Sequence, residues 1–167
     1  IDGQLRNATT PCIGADEFTV SQPTPGWTTN TSGTSAFLQS VKAVDQNVGW
    51  AGGNGTTVLR TVNGGTTWTS VGSAPITGDV YAIDALNANT AFVTTTPSTT
   101  TFIYRTTNGG ASWTQVYSLA GGFIDGIKMF DATTGIALGD PVGGKWTVAK
   151  TTDGGATWAR IATEPTQ

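Results

Sequence analysis

The sequence predicts an all-β protein, a β-propeller of which about three four-stranded blades are visible. Three observations carry that expectation. A nine-residue phrase recurs as Arg60–Trp68, Arg105–Trp113 and Lys150–Trp158, its tryptophans 45 residues apart both times. A fixed period of about 20–50 residues marks stacked supersecondary units, each covering its neighbour. The composition agrees, with 33 threonines, 23 glycines and only 11% charged residues, because threonine favours strands and polar turns over helices. Finally, the third strand of each unit carries consecutive apolar residues: Val58-Leu59, Phe102-Ile103-Tyr104 and Val148-Ala149. Successive residues of a strand point to opposite faces, so both faces of these strands seek burial. Four-stranded sheets stacked face to face around an axis meet that demand.

Residues 1–26 do not fit the repeat and read as an irregular N-terminal extension or linker, punctuated by Pro11, Pro23 and Pro25 with Gly3, Gly14 and Gly26. Only Glu17–Ser21 reads as a short strand there. Trp27-Thr28-Thr29 resembles Trp68-Thr69-Ser70 and is expected to open the repeat region, 27–167, as a lone outer strand. The blades are then about 27–72, 73–118 and 119–167. The first is expected to hold strands Phe37–Val44, Val48–Gly52, Thr57–Thr61 and Thr67–Val71. The second gives Val80–Ala85, Ala91–Thr95, Thr101–Thr106 and Ser112–Tyr117. The third gives Ile124–Phe130, Ile136–Gly139, Lys145–Thr151 and Thr157–Ala162. Between first and second strands lie Asp45-Gln46-Asn47, Asn87-Ala88-Asn89 and Asp131-Ala132-Thr133-Thr134, whose short polar side chains can bond the nearby backbone.

The recurring phrase reduces to Thr-x-(Asn/Asp)-x-Gly-x-x-Trp at Thr61–Trp68, Thr106–Trp113 and Thr151–Trp158. Its chemistry is that of a turn. The Asn63, Asn108 and Asp153 oxygens can accept backbone N–H bonds inside a tight hairpin. Gly65, Gly110 and Gly155, each after another glycine, supply positive φ without a Cβ clash. Trp68, Trp113 and Trp158 are expected to cover the hairpins with apolar surface. The pattern resembles the Asp-box, or BNR, repeat of β-propellers, in register three times over roughly residues 27–167. Asn63 and Asn108 depart from that family by standing where it has Asp. Asn keeps the acceptor and loses only charge, so a structural role is expected rather than metal binding or acid–base work. The Arg60, Arg105 and Lys150 column reads as solvated positions that recur because the blade recurs.

Several function classes are disfavoured. Net charge is −3 with eight scattered basic residues, which gives no footprint for nucleic acid. No apolar run approaches the length of a membrane span. Histidine is absent, removing the commonest general base and metal ligand together; no metal and no cofactor are expected. Cys12 is the one cysteine, read as an unpaired thiol or as a link to a partner. The chain opens on Ile1, so a leader has been removed or the segment belongs to something longer.

Binding chemistry is expected on the rim opposite the repeated turns, in loops joining second to third strands and one blade to the next. These are residues 53–56, 97–100 and 140–145, with 73–79 and 119–123 between blades. The candidates there are Asp79, Asp125, Asp140, Lys145, Tyr81, Trp50 and Trp146. Trp50 and Trp146 read first as packing between blades and only second as binding residues, and Asp125, in an apolar strand, needs a hydrogen-bond partner if buried. BNR-type propellers include sialidases and xyloglucan-cleaving glycosidases. The arginine cluster of a sialidase is missing, and no spacing singles out a pair of acids, although Asp79 with Asp125 or Asp140 is the pair to examine. No catalytic residue is assigned. The chain looks more similar to non-catalytic members: photosystem II assembly factors, the sortilin ectodomain and secreted Bacteroidota repeat proteins, the last through Asp131–Pro141 before Lys150–Gly155. That resemblance implies an exported or surface-attached module, in a bacterial envelope, that binds protein or glycan or serves as a scaffold. A glycosidase with its site partly outside the segment and a structural subunit of a surface assembly are the alternatives. Three blades cannot close a ring, so further blades or another chain are expected to complete it.

Overall fold

The computed structural model describes residues 29–167. The expectations for 1–26, Glu17–Ser21, Cys12 and Trp27 lie outside them. Twelve strands follow in order: β1 (Leu38–Ala43), β2 (Gly49–Gly53), β3 (Thr57–Thr61), β4 (Thr69–Ser70), β5 (Val80–Ala85), β6 (Ala91–Thr95), β7 (Thr100–Thr106), β8 (Thr114–Ala120), β9 (Ile124–Met129), β10 (Gly135–Val142), β11 (Lys145–Thr151) and β12 (Ala159–Arg160). They form three antiparallel meanders, β1–β4, β5–β8 and β9–β12, each with neighbours in sequence also neighbours in the sheet. This is the expected all-β partial propeller. Among the described residues no helix is long and apolar enough to cross a membrane.

Equivalent residues follow from the registers. Trp50 pairs with Arg60, Phe92 with Arg105 and Ile136 with Lys150, each joining second to third strand of its blade. Successive blades press these faces together, producing two apolar layers. The first gathers Trp50 and Val58 with Val80, Ile83, Val93, Tyr104 and Trp113. The second gathers Phe92 and Ile103 with Ile124, Ile127, Met129, Ala137, Ala149 and Trp158. The third strands are therefore lined on both sides in the middle blade, as their apolar runs require.

Some boundaries move for physical reasons. The outer strands of the first and third blades shrink to two residues each, pairing with the third strand only through Leu59–Ser70 and Arg60–Thr69 and through Ala149–Arg160 and Lys150–Ala159. In the third blade Glu164 substitutes for missing strand, accepting from Val148 N at 3.0 Å while paired with Arg160 at 2.6 Å. At the opposite rim, β10 runs on through Asp140 and Pro141 to Val142, where a loop is expected from sequence, because Val142 pairs with Lys145 past a bulge. β8 likewise absorbs Leu119 and Ala120 from the expected connection.

Candidate functional site

The three repeated turns share one hydrogen-bond plan. Thr61 Oγ1 accepts from Gly65 N at 3.0 Å and donates to Asn63 Oδ1 at 3.0 Å. Asn63 Oδ1 then accepts from Thr67 N at 2.9 Å. Thr106, Asn108, Gly110 and Ser112 repeat these contacts, as do Thr151, Asp153, Gly155 and Thr157. Only the last link differs. Asn63 and Asn108 donate Nδ2–H to Thr67 and Ser112, whereas Asp153 accepts from the Thr157 hydroxyl at 2.7 Å. That hydroxyl, followed by Thr157 N and the Thr151 hydroxyl, draws the Asp153 carboxyl down to about 2. Each turn also rests on the first-to-second-strand turn of its blade: Gly64 N donates to Asn47 O, Gly109 N to Asn89 O, Gly154 N to Thr133 O. The turns spend their polar atoms on one another.

Their other half joins blades. The Trp113 ring meets Trp50 of the preceding blade edge to face at 6.3 Å, and its Nε1 donates to Val71 O at 2.9 Å. Trp158 meets Phe92 in the same way at 6.3 Å. The indoles thus reach across the interface instead of merely lidding their own hairpins. Glycine is required beside them: a Cβ on Gly110 would sit 2.5 Å from Val71 Cβ, and one on Gly155 closer still to the Phe92 ring. The basic column is corrected by the same contact. Arg60 is half-buried, lies over the Trp50 ring at 5.7 Å and reaches Gly109 O at 3.5 Å in the next blade. Arg105 is half-buried beside Gly154, and of the three only Lys150 is exposed as a solvated position should be.

On the opposite rim the first strand of every blade carries one extra residue. The register skips Gln39 between Leu38 and Ser40, Tyr81 between Val80 and Ala82, and Asp125 between Ile124 and Gly126. Such bulges bend a strand and re-aim the side chain of the added residue. The backbone device repeats while the chemistry does not. Gln39 donates to Asn54 Oδ1, Tyr81 packs against Phe123 with the rings tilted at 58° and centroids 4.7 Å apart, and Asp125 feels the negative charge of Asp140. Partial desolvation, then the negative charge of Asp140, raises the Asp125 carboxyl above its ordinary value. Sequence alone did not single out Gln39, and a bulge leaves no mark in an alternating pattern.

The sequence candidates separate on inspection. Asp125, Asp140 and Lys145 are exposed on the third blade; Asp125 therefore needs no buried partner. Asp79 Oδ1 accepts from Gly55 N at 2.7 Å, so this carboxylate ties the first blade to the connection that follows it. Trp50 is 0% exposed and belongs to the interblade core, out of a ligand's reach. Trp146 is 45% exposed on the outer face of the third blade, not in an interblade core.

A further cluster escaped the sequence reading. Lys42, Asp84 and Lys128 occupy the same position on the first strands of successive blades. Asp84 is buried, with Lys42 Nζ at 3.0 Å, Lys128 Nζ at 3.8 Å and Met129 N donating to Oδ2 at 2.6 Å. Lys128, then Asp84, holds Lys42 above the ordinary lysine range, and Lys42 pushes Lys128 below it. Spacing of about 43 residues between these positions is visible in the sequence, but their closeness is not until the blades are stacked. Among the described residues no group of three or more His, Cys, Asp or Glu side chains is placed to hold a metal.

Comparison with known proteins agrees with this architecture. The family model of the photosynthesis system II assembly factor YCF48 matches residues 27–140, and the chain belongs to that family. Among solved structures, YCF48 bound to a D1 peptide is similar at TM-score 0.58 and 22% identity, covering 76% of this chain and 41% of that one. YCF48 from Cyanidioschyzon merolae gives 0.52 and 20%, over 77% and 38%. The GH74 enzyme of Niastella koreensis gives 0.57 and 20%, over 78% and 18%. The chain spans less than half the length of each of these structures. No curated protein matches it in sequence.

Proposed function

We propose that this member of the YCF48 family is a non-enzymatic binding module that takes an extended segment of a partner protein on the rim opposite the repeated turns. The observation that carries the reading is the set of three equivalent bulges bearing Gln39, Tyr81 and Asp125. A scaffold that repeats its backbone and varies the displayed side chain offers an amide, an aromatic ring and a carboxylate in a row, which suits successive side chains of one segment. A relative solved with a peptide supports a protein ligand in the family. Asp140, Lys145 and the exposed Trp146 extend the surface along the third blade. Glycan binding on the same aromatic and polar groups, location outside the cell or on its surface, and completion of the ring by blades outside these three belong to the same proposal.

Panning a displayed library of extended peptides against the folded chain tests it. Enriched sequences should lose binding to Tyr81→Ala and Asp125→Ala proteins and keep it with Lys150→Ala, which lies on the other rim. Absence of enrichment, or enrichment insensitive to both rim variants, would refute the reading. One observation favours the hydrolase alternative: Asp125, raised by its neighbour Asp140, has the pairing of an acid with a carboxylate. Release of sugar from xyloglucan oligosaccharides, lost in Asp125→Asn or Asp140→Asn, would favour that alternative.

A further inference from the structure

The junction between the first and second blades satisfies its own donors, and the junction between the second and third does not. At the first, Trp113 Nε1 donates to Val71 O at 2.9 Å, and Arg60 lies over the Trp50 ring at 5.7 Å with Nη1 reaching Gly109 O at 3.5 Å. At the second, Val116 stands in the place of Val71, yet the buried Trp158 Nε1 has no hydrogen-bond partner among the described residues. Arg105 stands in the place of Arg60. Both arginines keep a buried, unpartnered Nε, but Arg105 also stops short of the next turn. A Cβ on Gly109 would lie 2.7 Å from Arg60 Nη1, whereas one on Gly154 would lie 3.8 Å from Arg105 Nη2. None of the described salt bridges includes Arg105. The space left over is a cavity of about 190 Å³ lined by Arg105, Thr107, Ser112, Thr114, Val116 and Ala156. Thr107 holds the position of Val62 in the first blade, which puts a hydroxyl where that blade is apolar.

We propose that this cavity binds the carboxylate of a small organic acid, held by the Arg105 guanidinium with the hydroxyls of Thr107 and Ser112. Arg105 is the only charged group in the lining, so one negative charge balances it and a second would be left without a partner. The guanidinium presents its N–H donors as a planar fork, which fits the two oxygens of a carboxylate. Ser112 Oγ already accepts from Asn108 Nδ2 at 2.9 Å, so its O–H hydrogen remains to be donated. Asp153 does not compete for the cation, because the Thr151 and Thr157 hydroxyls and Thr157 N occupy its carboxylate. Val116 and Ala156 give a short carbon chain an apolar wall. With about 30 Å³ for each small group, as for a water, the cavity has room for about six non-hydrogen atoms, the size of butyrate. The site adjoins the repeated turns, on the other rim from Gln39, Tyr81 and Asp125, and stands independently of peptide binding there.

Titration of the isotope-labelled chain with sodium butyrate at constant ionic strength, followed through its amide and indole chemical shifts, tests this directly. Saturable shifts are expected at Thr107, Ser112, Thr114 and Val116 and at the Trp158 indole N–H, with a dissociation constant of about 1–10 mM. Arg105→Gln should weaken binding by about tenfold to a hundredfold, the loss of a charged hydrogen-bond donor. Thr107→Val, which gives the second blade the residue of the first, should weaken it by about two- to tenfold. Arg60→Gln, at the other junction, should leave it unchanged. Succinate and inorganic phosphate, each carrying a second charge above neutral pH, should bind less tightly than butyrate. No saturable shift below about 100 mM, shifts confined to other parts of the chain, phosphate tighter than butyrate, or full affinity in Arg105→Gln would overturn the proposal. The dispersion of each spectrum reports folding. Should Arg105→Gln fail to fold, Thr107→Val decides, because Thr107 is exposed and an unchanged affinity in that variant overturns the proposal equally. Peptide selection on the bulged rim is a separate measurement, so either idea can fail alone.

Discussion

The second and third blades share a backbone plan and differ in what surrounds it. The second lies between neighbours: Val93 and Tyr104 pack towards the first blade, Phe92 and Ile103 towards the third. Its turns are held by neutral side chains, Asn87 and Asn108. The third has one covered face and one open one, and its turns are held by Asp131 and Asp153. Packing therefore governs the middle blade, while polar turns and the Arg160–Glu164 clamp supply more of the order in the third. A four-stranded sheet with apolar residues on both sides is half a structure until both sides are covered.

The sharpest way to break that contrast is to truncate the same position in both blades. Phe92→Ala removes a wholly buried ring against Trp158 and should cost about 3–5 kcal/mol in denaturant unfolding. Ile136→Ala, at the equivalent place on the open face, should cost no more than about 1 kcal/mol in the monomer, because the side chain is already partly in water. Equal losses would mean that the outer face is covered after all. Next in size is Asp84→Ala, which strands two ammonium groups and the Met129 N–H. Breaking a buried pair costs about 3–5 kcal/mol, and exposure of Lys128 lowers the expectation to about 2–3 kcal/mol. Lys128→Ala alone, measured the same way, should fall below about 1 kcal/mol.

Much of this architecture was legible in the residues because the repeat supplies its own alignment. β5 and β6 match the expected Val80–Ala85 and Ala91–Thr95 to the residue, since a turn of short polar side chains bounds each at one end. Legibility fails wherever blades meet. Thr-x-Asn-x-Gly-x-x-Trp announces a turn, yet nothing in it says that the indole crosses to the preceding sheet or that Arg60 reaches forward to Gly109. Trp50 and Trp146 look alike in sequence; only stacking order buries one and leaves the other out. The bulges at Gln39, Tyr81 and Asp125 are registers between strands, and a register has no composition.

Glycines measure the same contrast at smaller scale. Gly155→Ala meets a positive φ of 76° and the Phe92 ring together, so it should cost more than about 2 kcal/mol. Gly65→Ala has a similar φ of 83° but only ordinary contacts, the nearest at 3.6 Å to Asn30, so about 1 kcal/mol is expected. Matching penalties in thermal unfolding would show that the turn alone, and not the approach of the next blade, sets the need for glycine.

The smallest effect distinguishes the blades by charge. Asp153 is drawn down to about 2, the Thr157 hydroxyl leading, and Asp131 is lowered further by the Thr134 hydroxyl and backbone with Thr133 behind them. A carboxyl depressed in the folded state binds fewer protons there than in the unfolded chain, so stability rises with pH through the window between the two values. The stabilisation from Asp153 is complete above its ordinary value near 3.8 and disappears as the pH falls through about 2. The turns of the second blade, held by Asn87 and Asn108, have nothing to titrate over that range. Amide hydrogen exchange at Gly155 and Thr157 should therefore quicken between pH 4 and pH 2 relative to Gly110 and Ser112, after correction for intrinsic rates. In Asp153→Asn protein the two turns should respond alike, because the third blade then carries the neutral acceptor of the second. Identical acid responses in the unaltered chain would mean that the packing of the blades, and not the charge of the turn, decides when the third blade opens.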